Sequence, residues 1–565
     1  MTARALPVLE VAPPPATAAR PSLGPSDERV TEFLPVTPAL PSFHVWTLGC
    51  QMNRSDSEEM AGRLLAAGCA EAPSMDAADL VVINTCAIRE AAEQKVIGRQ
   101  GHLGRLKTAN PGLRIVLTGC AVRERDRAGL RRRFPAVDLF LRPDEEPELV
   151  DRLGLASAQA SIGAPTAATT TVGRTVVSDA MHLGASRAAA VADCRVARGS
   201  AISAWLPIVY GCDKTCTYCI VPFSRGPERS RPFDDIVDEA RALAASGHRE
   251  LTLLGQNVNS YGHDLAPEPR FGHIDPQRWA GRRLDLHGRP DLAELIRAID
   301  GLRTADGSPA IPRLRFVTSH PWDLSDRLIA AMADCPSVCE HLHLPVQSGD
   351  DAVLRRMGRQ YTVEHYRERL TAIRAAVPGI SITTDVIVGF CGETEAAFER
   401  TLEFLETVRY DQVFAAAYSE RPGTPATRLP DDVPAATKRR RLNELLALQE
   451  RIGLERNRDW RGREVEVLLD AIVPPRSHDH EQATPAPANG GVHLSGRTRQ
   501  NKLVHVQGPP ELLGTLAVVR VDHAGPYSLR GVLGPMASGG VESSGPWLAG
   551  ASPRPSEGSR PAARR

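Results

Sequence analysis

Residues 211–219 read GCDKTCTYC and place three cysteines, Cys212, Cys216 and Cys219, within eight positions. Spacing of three residues and then two lets one short loop wrap round a small inorganic object. Structural zinc closes a tetrahedron of four ligands, so a zinc reading needs Cys194 or His248 recruited from outside the loop. A cuboidal 4Fe-4S cluster held by three thiolates instead keeps one iron without a protein ligand. That open iron suits the amino and carboxylate groups of S-adenosylmethionine. Electron transfer into the sulfonium would then give a 5′-deoxyadenosyl radical, chemistry that no side chain supplies. Tyr218, beside the last cysteine, is expected to pack near the adenine.

Three more cysteines share a different pattern. The apolar runs FHVWTLGC, DLVVINTC and LRIVLTGC end at Cys50, Cys86 and Cys120, and a helix pattern follows each. Alternating strand and helix predicts a parallel sheet with its chemistry at the carboxyl ends of the strands. Neighbouring strands lie ~4.8 Å apart, so three thiols at that edge can converge on one object. Cys69 and Cys194 read as ordinary thiols. Cys335 and Cys339, with His341 and His343 after them, mimic a ligand set, but a proline turn and a strand explain them.

The elements that position these residues fall into three blocks of an α/β chain. Residues 43–150 form the N-terminal parallel α/β domain, after a Pro- and Ala-rich tail, 1–42, that is expected to be disordered. A linker, 151–200, leads to residues 201–437, where six strand–helix units predict a partial (βα)6 barrel. Polar residues end its strands: Gln256 and Asn257 the second, Gln347 and Ser348 the fourth, with Asp385 inside the fifth. They are candidates for S-adenosylmethionine's ribose hydroxyls or amine, with strand capping as the plain alternative. A charged helix, 438–461, connects to residues 462–535, whose short alternating strands and glycine turns predict a small antiparallel β-barrel. Its Arg497, Arg499, Lys502, Arg520 and Arg530 suit an RNA surface or a plain solvent face. Residues 536–565 form a second expected tail.

Composition narrows the partners. The 565 residues carry 68 Lys+Arg and 68 Asp+Glu, so nucleic-acid binding must rest on local patches. Arg131 to Arg133 and Lys438 to Arg441 are two such runs, though each reads first as a solvated helix face. Neither a signal-peptide core nor a membrane-length apolar segment is present, which predicts a cytoplasmic protein with no membrane association. Eleven cysteines in that compartment fit metal or cluster ligation better than disulfides.

The stretch GCDKTCTYCIVPFSRGPERSRP resembles the signature of the radical-SAM methylthiotransferases. TLGCQMN, NTCAIRE and TGC resemble that family's N-terminal cluster-binding stretches. LLGQNVNSYG, TSHP, HLPVQSG, MGRQYT, RPGTPA and SGRTRQNK extend the resemblance through the barrel and a C-terminal TRAM domain. It covers residues 43–535 apart from the linker. It implies two 4Fe-4S clusters, one on Cys212, Cys216 and Cys219 and an auxiliary one on Cys50, Cys86 and Cys120. It also implies S-adenosylmethionine as both methyl donor and radical source. The auxiliary cluster's open iron would hold the sulfur that becomes methylated.

GCQMN with NTCAIRE is most similar to the members that act on tRNA carrying N6-isopentenyl-adenosine at position 37, 3′ of the anticodon, at carbon 2 of the base. Members acting on threonylcarbamoyl-adenosine are the nearest alternative, and a zinc-stapled RNA-binding protein without catalysis the most distant. A monomer reduced by a flavodoxin or ferredoxin is the implied working unit. One departure stands out: GFCGET places Cys391 where the family carries proline. The stretch 262–290 also looks like an insertion, as lid or surface loop.

Overall fold

The computed structural model describes residues 41–86, 90–123, 127–155, 196–272, 277–279, 282–284, 287–474 and 491–534. Most of the first expected tail, all of the second and most of the linker lie outside the described residues. In the first domain β1 (Ser42–Leu48), β2 (Ala70–Glu71), β3 (Leu80–Thr85), β4 (Arg114–Thr118) and β5 (Leu139–Phe140) form one sheet, ordered β2-β1-β3-β4-β5. Every ladder in it is parallel. Such sheets are covered on both faces, which is why β3 and β4 are buried along their whole length. Their side chains divide with the pleat: Val81, Ile83, Ile115 and Leu117 join one cluster, and Leu80, Val82 and Val116 the other. The helix Glu90–Ala109 adds Val96 and Leu103 to the first, and Gln51–Ala66 adds Met60 and Leu64 to the second. Leu153 and Leu155 complete the second cluster, so the packed unit runs past position 150.

The second domain opens with β6 (Ser203–Pro207) and an antiparallel pair, β7 (Val209–Tyr210) and β8 (Arg229–Ser230). That pair brackets the cysteine loop. β9 (Glu250–Leu254) follows, then a hairpin of β10 (Gln277–Trp279) and β11 (Arg282–Leu284) inside the expected insertion. β12 (Arg313–Phe316), β13 (His341–His343), β14 (Ser381–Val388) and β15 (Gln412–Ala417) complete it. The six barrel strands run parallel in two sheets, β12-β9-β6 and β13-β14-β15, joined by a bridge between Leu314 and Val338. Leu206, Leu253, Leu314, Leu342 and Ile382 fill one continuous core. The covering helices start where short polar side chains cap them: Asp291, Ser325, Thr362 and Thr394 each accept an amide bond from the first turn.

The helix Ala435–Arg458 leads into β16 (Glu464–Ile472), β17 (Val492–Thr498), β18 (Leu503–Gly508), β19 (Leu516–Ala524) and β20 (Leu529–Leu533). These close a barrel in the order β16-β17-β18-β20-β19. It is not wholly antiparallel. Because β19 crosses over to pair with β16, its hairpin partner β20 returns beside β18 in the same direction.

The basic turn of this small barrel corrects the surface reading. Arg313 donates to the Arg497 carbonyl at 2.6 Å and to Glu466 Oε1 at 2.8 Å, while Arg315 reaches the carbonyls of Thr498 and Arg499. Arg499 pairs with Glu340 at 2.9 Å and Lys502 with Asp411 at 2.8 Å. Residues 497–502 therefore plug the end of the large barrel where its strands begin, opposite the strand ends that carry the cysteines. The basic residues of the short strands suggested an open surface, and nothing local in the sequence records which domain covers them. Arg520 and Arg530 remain exposed.

The Lys438–Arg441 run is likewise occupied: Lys438 pairs with Asp431, Arg440 with Glu395, and buried Arg441 with Glu393. Arg131 to Arg133 stay exposed. Among the described residues no helix is long and apolar enough to cross a membrane.

Candidate active site

Two sets of three cysteines meet between the first two domains. β1, β3 and β4 are adjacent and parallel, and Cys50, Cys86 and Cys120 follow their carboxyl ends. The spacing has a backbone cause. Gly119, before Cys120, holds φ +92°, and a Cβ there would lie 2.3 Å from the Thr85 carbonyl oxygen. Only glycine allows the chain to turn so tightly over the neighbouring strand. Asn53, fully buried on the first helix, organises this edge. Its Oδ1 accepts from the Cys50 thiol and amide, both at 3.3 Å, and its Nδ2 donates to Asn84 at 2.8 Å. Hydrogen bonding with Cys86, together with Asn53 and nearby Arg225, lowers the Cys50 thiol to about 6, against the pull of burial. Burial pushes Cys120 upward.

The other set is contiguous and is held by its own loop. Gly211, at φ +73°, would bring a Cβ within 2.0 Å of the Pro227 carbonyl, so the two ends of the loop touch. Lys214, between the first two cysteines, forms a buried ion pair with Asp323 at 2.6 Å, and Asn257 donates to the same carboxylate at 2.7 Å. The Thr217 amide bonds the Met357 carbonyl at 2.9 Å. Burial, with Cys216 adjoining, pushes the Cys219 thiol up to about 12, and Cys120 across the domain boundary adds to it. Cys212 is raised as well, again by burial first. Thiols in such surroundings become thiolates when a metal holds them.

Contacts from the first domain fix the two sets against each other. Arg225, six residues after Cys219, donates to Cys120 Sγ at 3.2 Å and to Asp56 at 2.5 Å. Glu58 accepts from the Gly199 amide at 2.9 Å, and Arg123 donates to the Pro422 carbonyl at 2.5 Å. A cavity of about 110 Å³ between the domains is lined by Asp56, Glu59, Glu146, Tyr210 and Arg225. A second, of about 310 Å³, shares Asp144, Arg225 and Arg229 with it and adds Arg142 and Phe223.

The candidate cofactor residues divide. Both side-chain polar atoms of Gln256, with Asn257 Oδ1 and Gln347 Oε1, are buried without a hydrogen-bond partner. Buried polar groups are seldom left so, and these amides fit a polar ligand such as S-adenosylmethionine. Gln347 also holds φ +70°, a strained conformation for a non-glycine residue. Ser348 differs: its hydroxyl lies 3.4 Å from Thr401 Oγ1 and accepts the Asp350 amide at 3.2 Å, a capping role within the scaffold. Asp385 reaches His343 Nε2 at 3.4 Å. Tyr218 packs edge-on to Phe390 at 6.3 Å.

Sequence reasoning missed Lys214, Asp323, Arg225, Arg359 and Ser319. Ser319 Oγ is another buried atom without a partner, and its signal was TSHP at the end of a barrel strand. Cys391 lies buried in an apolar cluster with Val353, Met357, Phe390 and Tyr418. Cys335 ends the helix Asp326–Asp334, and His341 and His343 both bond Thr383 Oγ1. His248, a fourth ligand for the zinc reading, is held by Ser246 Oγ and the Leu243 and Ser200 carbonyls. Cys194 lies outside the described residues. Among the described residues no three His, Cys, Asp or Glu side chains converge as a single ion requires.

Known proteins resemble this chain in sequence. The radical SAM superfamily pattern matches residues 206–405, and that of Uncharacterized protein family UPF0004 matches residues 42–142. The chain is 41% identical over 493 residues to tRNA-2-methylthio-N(6)-dimethylallyladenosine synthase of Carboxydothermus hydrogenoformans, covering 87% of this chain and 99% of that one. The chain belongs to the radical-SAM methylthiotransferase family. A synthase of the same name from Roseiflexus sp. is 39% identical to this methylthiotransferase over 518 residues, covering 90% and 93% of the two chains. Among solved structures, the radical S-adenosylmethionine methyltransferase TsrM from Kitasatospora setae aligns with a TM-score of 0.46 and 14% identity, over 68% of this chain and 73% of that one. Membership implies an enzyme that uses S-adenosylmethionine and a 4Fe-4S cluster.

Proposed function

We propose that this methylthiotransferase acts on tRNA and adds a methylthio group to carbon 2 of N6-isopentenyl-adenosine at position 37, using two 4Fe-4S clusters. The observation that carries this reading is the second triplet. Three adjacent parallel strands bring Cys50, Cys86 and Cys120 to one edge, where Arg225 of the radical-SAM loop touches Cys120. Relatives named for this modification are matched over nearly their whole length.

When bound, the clusters and S-adenosylmethionine supply the radical, the sulfur-holding iron and the methyl group. The protein's part is to hold and exclude. Cys212, Cys216 and Cys219 would ligate one cluster and the other three cysteines the second. Gln256, Asn257 and Gln347 would orient the sulfonium cofactor through their buried amides. Asp385, beside His343, would add a further contact, and Ser348 would act through the Asp350 cap. The 310 Å³ cavity is of ligand size. Phe223 stands 53% exposed at it, with Arg142 and Arg229 on its rim. This is where a nucleotide of the anticodon loop would enter, stacked on the ring.

A flavodoxin or ferredoxin would deliver electrons to a monomer in the cytoplasm. Mass spectrometry of tRNA nucleosides from cells with and without the protein tests the reading. Loss of the 2-methylthio-isopentenyl nucleoside is expected, and loss of only the threonylcarbamoyl counterpart would overturn it.

A further inference from the structure

Each cysteine triplet has one buried arginine donating to one of its sulfurs. Arg225 donates through Nε to Cys120 Sγ at 3.2 Å, and Arg359 through Nη1 to Cys216 Sγ at 3.3 Å. Both side chains lie inside the protein, Arg225 at 7% and Arg359 at 8% exposure. They differ in what balances their charge. Arg225 is paired with Asp56 at 2.5 Å, across the domain boundary. Arg359 is held by neutral groups: Nε donates to Tyr361 Oη and Nη2 to the Pro345 carbonyl, both at 2.9 Å, and the guanidinium sits 4.9 Å from the centre of the Tyr361 ring. No carboxylate among the described residues pairs with it.

We propose that Arg225 and Arg359 are positioning residues that set the potentials of the two clusters separately. Arg359 brings a whole positive charge to the radical-SAM cluster, and Arg225 brings a hydrogen bond with its charge balanced to the auxiliary one. The inference rests on the two-cluster reading above. Physically, a donor to a cluster sulfur draws electron density from it and favours the reduced, more negative state. An unbalanced cation adds a Coulombic attraction that a low-dielectric interior magnifies. Reduction is thereby eased most at the cluster that must pass an electron to the sulfonium. At the auxiliary cluster, the Asp56 carboxylate offsets the cation while leaving the hydrogen bond in place. Arg225 also ties the radical-SAM loop to the auxiliary ligand, because its guanidinium touches Cys120 and Asp56 at once.

The test uses the full chain in two backgrounds. Cys50, Cys86 and Cys120 changed to Ala leave only the radical-SAM cluster, and Cys212, Cys216 and Cys219 changed to Ala leave only the auxiliary one. Midpoint potentials are read by spectroscopically monitored titration, with iron and sulfide counted on the same samples. Arg359→Met should shift the radical-SAM cluster to a more negative potential, and Arg359→Lys should restore most of the shift. In the other background, Arg225→Met with Asp56→Asn should give a smaller negative shift, since a hydrogen bond is lost without loss of net charge. In each background the other arginine's variant should leave the potential unmoved. Unmoved potentials with full iron, or each variant moving both clusters alike, would overturn the proposal. So would iron loss that Lys does not rescue, because the arginine would then hold the cluster together instead of tuning it. Failure of either background to bind iron before any arginine is changed counts against the two-cluster reading itself.

Discussion

The two cysteine triplets are assembled by opposite routes. Cys212, Cys216 and Cys219 sit on one loop, closed at its base by Gly211 against Pro227 and pinned by Lys214 to Asp323. Cys50, Cys86 and Cys120 are dispersed over 71 positions and meet only because β1, β3 and β4 are neighbours in register. A local loop spends little chain entropy on bringing its ligands together, whereas the dispersed set depends on a whole domain having folded. The first set should therefore tolerate damage elsewhere, and the second should report on the integrity of its sheet.

The largest effects separate the two directly. Cys216→Ala should reduce 5′-deoxyadenosine formation to background. Cys86→Ala should spare that uncoupled cleavage and end methylthio product. Both are read by mass spectrometry of small molecules and tRNA nucleosides, and product from the Cys86 variant would break the comparison.

Next come the pins. Lys214→Met leaves a buried carboxylate without its cation and should cost about 3 kcal/mol, with iron lost from the loop cluster. Asn53→Ala should cost about 2 kcal/mol, by removing the acceptor of Cys50 and the donor to Asn84, with iron lost from the other. Thermal melting and iron counts in single-cluster backgrounds check both, and the comparison sharpens if each loss stays with its own triplet.

A smaller effect concerns the cavity that Phe223 lines. Phe223→Ala should weaken binding of an anticodon stem-loop by roughly 1–3 kcal/mol, as loss of one stacked base would, with Phe223→Trp retaining it. Both cluster spectra should be unchanged.

The smallest is a pH dependence. Burial pushes the Glu59 carboxyl from its ordinary 4.5 to about 7. A carboxyl raised in the fold stabilises it while protonated, so this contribution is full below pH 4.5 and is lost as pH rises through 7. Glu59→Gln should flatten that slope in denaturation measured from pH 5 to pH 8, where those bounds are about one pH unit or less from the two values. A slope unchanged by the substitution would place the titration elsewhere.

Much of this was legible in the chain. Both triplets, the parallel order of strands and the six barrel units follow from residue spacing and from apolar runs of strand length. The C-terminal barrel was legible as strands, but β18 and β20 pair in parallel because of a crossover that no local pattern records. Ser348 and Gln347 are adjacent and equally polar, yet Ser348 bonds Asp350 while Gln347 keeps an unpartnered buried atom. Which neighbour faces a cavity depends on the backbone's turn there, and Gln347 sits at a positive φ that its residue type does not foretell. Arg497, Arg499 and Lys502 looked like a surface because charged residues usually are one. They are an interface because Glu340, Asp411 and the ends of β12 meet them.

The sequence by itself determined which thiols are candidates for cluster ligation, since ligand type and loop spacing are local properties. Only the tertiary structure decided that the two triplets meet across a domain boundary, with Arg225 reaching Cys120 and Arg359 reaching Cys216. Those contacts join residues 105 and 143 positions apart. Long-range packing sets such distances, and no periodicity along the chain encodes them.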